Sequence, residues 1–267
     1  MEYKEGELEQ LHIHLYDILS HTVEVCERLN INYTLIGGSA VGALFDGAIL
    51  PWDDDIDLGM ERSEYNRFIA EAPAALGRDY VLQSPECDCV TPYYFAKVRK
   101  RGTRFEGEDE FGLEMNHGIY IDIFPLDRVP DNKFAEKIHR WCVRMLHNSF
   151  VATTIPLKEG GEVAKAIVNM VARVVGKRRL YRWLVRVQSH YNSCDTKYVS
   201  IVKMPRDHIE RSTLNPPDVV EFGGMRVNAP HKLREYLEWH YPNLHRDVKP
   251  EEQINHAPIR LNFNGDE

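Results

Sequence analysis

The spacing of apolar and polar residues in the first part of the chain predicts helices and short strands in alternation. Over residues 6–30, apolar side chains recur every three or four positions, the period of an amphipathic helix. The apolar run 33–36 predicts a strand, and the glycine pair 37–38 ends it. Ser39 is placed to cap a short helix that follows.

Further strand and helix signals continue to the end of the chain. Residues 56–60 alternate apolar and acidic side chains, and 118–125 is an apolar strand interrupted by one acid. Two or three strands are expected between 80 and 105, and residues 133–190 have helical spacing. A last strand and a last helix are expected within 222–241. Strands and helices mixed in this order, with a long helical stretch inserted, predict an α+β fold with a mixed sheet flanked by helices.

Charge is distributed unevenly along the chain. The 267 residues carry 33 Lys or Arg and 41 Asp or Glu, a net charge of −8. Twelve Lys or Arg and three Asp or Glu fall within 133–190, so this segment carries +9 and the rest of the chain −17. General nucleic-acid binders need a net basic surface, so the acidic balance argues against nucleic acid as a partner.

Composition predicts an ordinary globular protein in a reducing compartment. Hydrophobic residues make up 43% of the chain, which excludes a largely disordered protein. No apolar run approaches the ~20 residues that span a bilayer, and the acidic N-terminal stretch does not resemble a signal peptide. The five cysteines are scattered and read as free thiols. The expected location is the cytoplasm.

Four aspartates occupy the five positions 53–57, and this crowding is the first candidate for chemistry. Like charges this close repel one another, and they are tolerated where a divalent cation lies among them. In a strand, positions two apart point to the same side, so Asp55 and Asp57 aim two carboxylates at one point. Asp122 lies between two isoleucines and needs a partner if its strand is buried. Oxygen ligands of this kind predict a site for Mg²⁺, or Mn²⁺, held by Asp55, Asp57 and Asp122.

The glycine pair before Ser39 is the second candidate. Gly37 and Gly38 allow backbone N–H groups and a helix N-terminus to approach a phosphate closely. Each feature alone has a simpler interpretation: a turn, a solvated acidic loop, or a core acid with a partner. Their combined order, strand, Gly-Gly-Ser, helix, Asp-x-Asp strand and later strand acid, favours a site for a phosphate and a metal ion.

These residues resemble known sequence signatures. Gly38-Ser39 followed by Asp55-Ile56-Asp57-Leu58 resembles the signature of the nucleotidyltransferase (DNA polymerase beta-like) superfamily. More specifically, the chain is similar to the LicD family over 36–43, 50–60 and 118–127, and more weakly over 97–103, 236–241 and 250–256. The resemblance implies a nucleotidyltransferase-like fold. Because the chain becomes basic and helical after 131, we expect a catalytic core at 1–130, a basic helical subdomain at 131–192, and a C-terminal part, 193–267, that packs back on the core.

The resemblance also implies an activity. LicD-type proteins transfer a phospho-alcohol, typically phosphocholine from CDP-choline, to a hydroxyl of a cell-surface glycan or its precursor, and CMP leaves. Asp55 and Asp57 would hold Mg²⁺ on the donor pyrophosphate, and Asp122 would complete the site where the acceptor hydroxyl is deprotonated or oriented. One alternative is a nucleotidyltransferase that releases pyrophosphate and modifies a small molecule, a protein or RNA. Another is a non-catalytic nucleotide-binding protein, which would be expected to lack one of the carboxylates.

Candidate donor-binding residues complete the interpretation: Gly37, Gly38, Ser39, Trp52, Lys97 and Arg99. Trp52 either stacks on the base or the choline, or packs under the acidic loop. Lys97 and Arg99 share a strand face and either clamp phosphate or are inert exposed cations. Many LicD-type sequences carry Arg-His where this chain has Phe45 and Asp46, which leaves the identities of donor and acceptor open.

The roles of Asp53, Asp54 and His256 are also open at this stage. Residues 173–186 combine basic side chains with an apolar stripe that includes Leu180, Trp183 and Leu184. This pattern predicts a cationic amphipathic helix that either docks on an anionic membrane surface or packs its stripe into the protein core.

Overall fold

The computed structural model describes residues 3–87, 90–155, 161–201, 208–246, 253 and 255–265. Its α-helices are α1 (Glu7–Leu29), α2 (Gly37–Phe45), α3 (Arg62–Ala75), α4 (Lys133–Val151), α5 (Glu162–Val175), α6 (Lys177–Gln188), α7 (Arg211–Leu214) and α8 (Leu233–His240). Its strands are β1 (Thr34–Leu35), β2 (Asp57–Glu61), β3 (Tyr80–Gln83), β4 (Ala96–Lys100), β5 (Arg104–Glu106), β6 (Tyr120–Val129), β7 (Tyr198–Ser200), β8 (Ile209–Glu210), β9 (Asp218–Phe222), β10 (Met225–Ala229) and β11 (Arg260–Asn262).

A mixed sheet organises the described residues. Its strand order is β1-β2-β6-β4-β3, with β2 and β6 parallel and the other neighbours antiparallel. Strand β6 is long enough to pair with β7 beyond its contacts with β2 and β4, and β7 then pairs with β8. The predicted α+β fold with a mixed sheet flanked by helices is confirmed.

The register of three central strands places charged residues side by side. Asp57 on β2 lies opposite Asp122 on β6, and Lys97 on β4 lies opposite Asp122 from the other side. Directly paired residues project from the same face of a sheet, so their side chains meet. This row forms the base of the candidate site.

The main core lies around this sheet and extends to both ends of the described chain. Helix α1 contributes a fully buried stripe that includes Leu11, Leu15 and Ile18. Burial of each such side chain contributes roughly 2 kcal/mol. The same core contains Phe222 and Tyr236, so the C-terminal part shares one apolar interior with the sheet.

Helices α4, α5 and α6 are built around a second, smaller core that includes Val143, Phe150, Leu180 and Leu184. The prediction of one amphipathic helix over 173–186 is wrong, because α5 ends at Val175 and α6 begins at Lys177. Gly176 separates them with a φ of +80°, a backbone conformation that glycine adopts readily. No helix in the described part of the chain is long and apolar enough to cross a membrane.

Two local predictions also need correction. Helix α2 begins at Gly37, so Ser39 lies within its first turn and does not cap it. The last predicted strand is a hairpin of β9 and β10, because Gly223 and Gly224 turn the chain with positive φ between them.

Candidate active site

Three carboxylates from two neighbouring strands converge in the structure. One oxygen from each of Asp55, Asp57 and Asp122 lies within 4.8 Å of the others. Asp57 begins β2, and Asp55 lies two residues before it. Asp122 lies opposite Asp57 on β6, and its backbone N–H donates to the carbonyl of Ile56 at 2.8 Å. The convergence expected from strand alternation is therefore confirmed, and the metal and catalytic roles of these residues stay predictions.

Electrostatics make this cluster unfavourable without a counter-charge. Burial, together with repulsion from Asp122 and Asp54, raises the pKa of Asp55 to about 6. Burial and the neighbouring carboxylates also raise the pKa of Asp57 well above its ordinary value. Hard oxygen donors that repel one another in a confined space fit a divalent cation such as Mg²⁺.

Lys97 lies inside the site rather than on an exposed face. Its Nζ donates to Asp122 Oδ1 at 2.7 Å, and the residue is 2% exposed. The centroid of the Tyr120 ring lies 3.3 Å from Lys97 Nζ, and the rings of Tyr93 and Phe95 flank the ammonium. Burial lowers the pKa of Lys97, and the Asp122 carboxylate opposes that shift. Contact of Lys97 with a donor phosphate stays a prediction.

Arg99 shares the strand face of Lys97 but is fully buried. Its guanidinium donates to Gln83 Oε1 at 2.7 Å, to the Gly118 carbonyl at 3.0 Å, and to the Glu110 carboxylate. Although burial raises it, the pKa of Glu110 falls to about 2 because His117 and Arg99 stabilise its charge. In this structure all three guanidinium nitrogens have protein partners, so the observed contacts of Arg99 support the fold.

The Gly-Gly-Ser segment packs directly against the acids. Gly37 has a φ of +57°, and a Cβ there would lie 2.8 Å from Asp57 Oδ2. A Cβ on Gly38 would lie 2.5 Å from Asp53 Oδ2. The backbone N–H of Asp57 donates to Ser39 Oγ at 2.9 Å. The segment thus positions two acids, and its predicted contact with donor phosphate is untested.

Asp54 is bound by residues from distant parts of the chain. It is buried, and its Oδ2 accepts from the Tyr3 hydroxyl at 2.7 Å and from the backbone N–H of His256 at 2.6 Å. His256 therefore contributes its backbone, while its side chain is exposed. Burial and repulsion from Asp55 and Asp54 raise the pKa of Asp53 to about 8. Asp53 and Asp54 thus shape the acidic loop from within.

Two tyrosines at the site carried no signal in the apolar pattern. The backbone N–H of Gly37 donates to the hydroxyl of Tyr236 at 3.2 Å. Burial and the nearby carboxylates of Asp57, Asp53 and Asp55 raise the pKa of Tyr241 to about 12. Both tyrosines belong to 236–241, the segment with weak family similarity, and this similarity was the signal that pointed to them.

The other sequence candidates lie at the edge of the site. Trp52 is half-buried and packs against the main core. Phe45 ends α2 and also packs against that core. The exposed Asp46 pairs with Arg246, whose Nη2 lies 2.8 Å from Asp46 Oδ1. A cation is therefore present beside this loop, although it comes from the C-terminal part of the chain.

A mixed sheet that gathers three carboxylates beside a Gly-Gly-Ser helix start defines a nucleotidyltransferase-like site. A family model described as "LicD/FKTN/FKRP, nucleotidyltransferase domain" matches residues 30–159, and this part of the chain is a LicD-family domain. The matched range contains all three converging acids and the glycine pair.

Curated relatives extend the comparison. The lipopolysaccharide cholinephosphotransferase LicD of Haemophilus influenzae is 26% identical over 249 residues, which is 90% of this chain and 92% of the relative. The ribitol 5-phosphate transferase FKRP of Homo sapiens is 29% identical over 165 residues, which is 58% of this chain and 29% of the relative. The corresponding mouse protein is 28% identical over 164 residues. Together with the family assignment, these relatives place the chain among the phospho-alcohol transferases as a general class.

Proposed function

We propose that this chain transfers phosphocholine from CDP-choline to a hydroxyl group of a glycan or glycan precursor, with CMP as the leaving group. The observation that carries the proposal is the intact cluster of Asp55, Asp57 and Asp122. The similarity to a cholinephosphotransferase along nearly the whole chain supports phosphocholine as the transferred group.

In this proposal Asp55 and Asp57 hold Mg²⁺ or Mn²⁺. The ion, when bound, neutralises the charge of the donor pyrophosphate. Asp122 lies at the inner side of the cluster, where its carboxylate orients the acceptor hydroxyl and accepts its proton. The hydroxyl oxygen then forms a bond to the phosphorus that carries choline, and the bond from that phosphorus to the CMP oxygen breaks. The Lys97 ammonium, 2.7 Å from Asp122 Oδ1, holds that carboxylate in place and opposes the rise in its pKa that burial causes.

Two alternatives predict a different outcome of product analysis. A nucleotidyltransferase would direct attack at the α-phosphorus of the nucleotide and release pyrophosphate. The match to a nucleotidyltransferase domain favours this alternative. A non-catalytic nucleotide-binding protein would be expected to have lost a carboxylate, whereas all three are present here. The activities for which the two relatives are named favour transfer of a phospho-alcohol.

Donor binding and product analysis test the proposal. CDP-choline, CDP-ribitol, CDP-glycerol and CDP-ethanolamine are titrated into the protein with Mg²⁺ in a calorimeter, and products formed with a panel of glycan acceptors are separated by ion exchange. We expect CDP-choline to bind tightest and CMP to accumulate. Asp57→Asn should abolish turnover, while Asp79→Asn, a change at an exposed acid outside the cluster, should not. Pyrophosphate as the product, or preference for another donor, would contradict the proposal.

A further inference from the structure

The exposed apolar side chains of this protein are concentrated on one part of the fold. Among the described residues, twelve large apolar side chains are exposed, and eight of them lie on α4, α5 and α6. They are Phe134, Ile138, Trp141, Val163, Ile167, Met170, Val174 and Trp183. We call these eight side chains the outer apolar face. Exposed apolar side chains gathered on one part of a fold are typical of an interaction site.

Helix α5 shows most clearly that this apolar surface is left uncovered in the isolated chain. Val163, Ile167, Met170 and Val174 recur at spacings of four and three, so they form one stripe along the helix. The opposite side of the helix is already buried, at Ala172 among others. A helix that is apolar on both sides is normally covered on both sides. Val174 is nevertheless 75% exposed and Val163 73% exposed.

Helix α4 repeats the arrangement. Phe134, Ile138 and Trp141 have the same spacing of four and three residues, and Phe134 is 74% exposed. The buried side of α4, with Val143 and Phe150, faces the second core. Two neighbouring helices therefore each present an unpartnered apolar stripe.

The side chains beside these stripes are basic. Eight exposed Lys or Arg residues lie on the three helices, and none forms an ion pair with another described residue: Lys133, Lys137, Arg144, Arg173, Arg178, Arg179, Arg182 and Arg186. The segment 133–190 carries +9, whereas the rest of the chain carries −17. A charge distribution this asymmetric orients the molecule in an external field.

We propose that the outer apolar face docks on the surface of an anionic phospholipid bilayer. Aromatic and aliphatic side chains would insert at the boundary between headgroups and acyl chains, and the surrounding cations would bind anionic headgroups. A second copy of the chain is a poorer occupant, because it would bring the same unpaired cations against one another. The acidic remainder of the chain is repelled by the same surface, which favours one orientation.

This surface differs from the one expected from the sequence. Leu180 and Leu184 of the predicted stripe are buried in the second core and are not available to lipid. Within 173–186, Val174 and Trp183 remain exposed, and the rest of the outer apolar face comes from α4 and the first part of α5.

Co-sedimentation of the full chain with vesicles tests the proposal. We expect binding to vesicles of phosphatidylglycerol and phosphatidylcholine, no binding to pure phosphatidylcholine, and release at high salt. Ile167→Ser with Met170→Ser should weaken binding roughly tenfold or more, since each methylene buried in the bilayer contributes to the free energy of binding. Arg178→Gln with Arg182→Gln should weaken it about fivefold per residue. The matched control is Ile13→Ser with Val219→Ser, which removes exposed apolar side chains elsewhere and should leave binding unchanged.

Tryptophan quenching and mass measurement complete the test. Brominated lipid should quench fluorescence, and the quenching should fall in Trp141→Phe but persist in Trp239→Phe, an exposed tryptophan outside this face. Absence of vesicle binding, equal binding to both vesicle types, or binding unaffected by the α5 variant would overturn the proposal. So would a dimer in sedimentation velocity that the α5 variant dissociates, because the face would then be an interface between copies. Circular dichroism of each variant verifies that these surface changes leave the fold intact.

Discussion

Replacing Asp55 by asparagine should stabilise the metal-free protein while it removes a ligand of the proposed metal site. Burial and repulsion from Asp122 and Asp54 raise the pKa of Asp55 from 3.8 to about 6. Two pKa units correspond to roughly 3 kcal/mol, since one unit is about 1.36 kcal/mol. The folded chain carries this cost when Asp55 is ionised. Asp55→Asn keeps the shape of the side chain and removes the charge, so we expect the free energy of unfolding to rise by up to about 3 kcal/mol.

The size of this effect depends on pH. The unfolded chain loses its Asp55 proton near pH 3.8, and the folded chain loses it near pH 6. The contribution of Asp55 to the free energy of unfolding is therefore fully present below pH 3.8 and is lost as the pH rises to about 6. Native protein and variant should thus have similar stability at the acidic end of this window and diverge above it.

Thermal unfolding in the presence of a chelator measures the difference. For a chain of this size, 1 kcal/mol shifts Tm by roughly 2–4 °C, so the variant should melt several degrees above the native protein at neutral to alkaline pH. Added Mg²⁺ should raise Tm of the native protein only, because ligand binding stabilises the folded state that retains the site. Asp79→Asn is the control for loss of an exposed charge. A variant that melts below the native protein under these conditions would refute the reasoning.

Three further substitutions probe the surroundings of the cluster. Gly38→Val places a Cβ 2.5 Å from Asp53 Oδ2, so donor affinity measured by calorimetry should fall at least tenfold; unaltered affinity with unchanged circular dichroism would limit this glycine to turn geometry. Arg99→Met removes the guanidinium that pairs with the buried Glu110, and urea unfolding should show a loss of about 3 kcal/mol, whereas equal stability would show that the pair is dispensable. Tyr236→Phe removes the acceptor for the first backbone N–H of α2, which should cost about 1 kcal/mol and slow turnover; unchanged turnover would make the contact purely structural.

The acid cluster was predictable because its signals are local. Two aspartates at a spacing of two residues face the same way in any extended segment. The position of Asp122 between two isoleucines indicates an acid in a buried strand, and such an acid needs a partner. Neither inference requires knowledge of which strands are neighbours, and the parallel pairing of β2 with β6 then joins them.

The burial of Lys97 and Arg99 was not predictable in the same way. Alternation within β4 correctly assigns them to one face, but such a face is usually exposed to solvent. Their partners Asp122 and Glu110 lie on other segments, so nothing in the local pattern shows that the face is covered. The same limit applies to Gly176, since a single glycine in a helical pattern is tolerated or breaks the helix according to tertiary context.

The two contacts of Asp54 have a consequence for the synthesis of the protein. A ribosome completes Tyr3 and the acidic loop first, whereas His256 follows Asp54 by 202 residues. A nascent chain can already have assembled the central sheet, since β1 to β6 all precede residue 130. The loop that carries Asp54 still lacks its partner from the C-terminal segment at that stage. Folding of the sheet and completion of the acidic loop are therefore separated in time, and we expect activity to be acquired only after the segment that carries His256 has been synthesised.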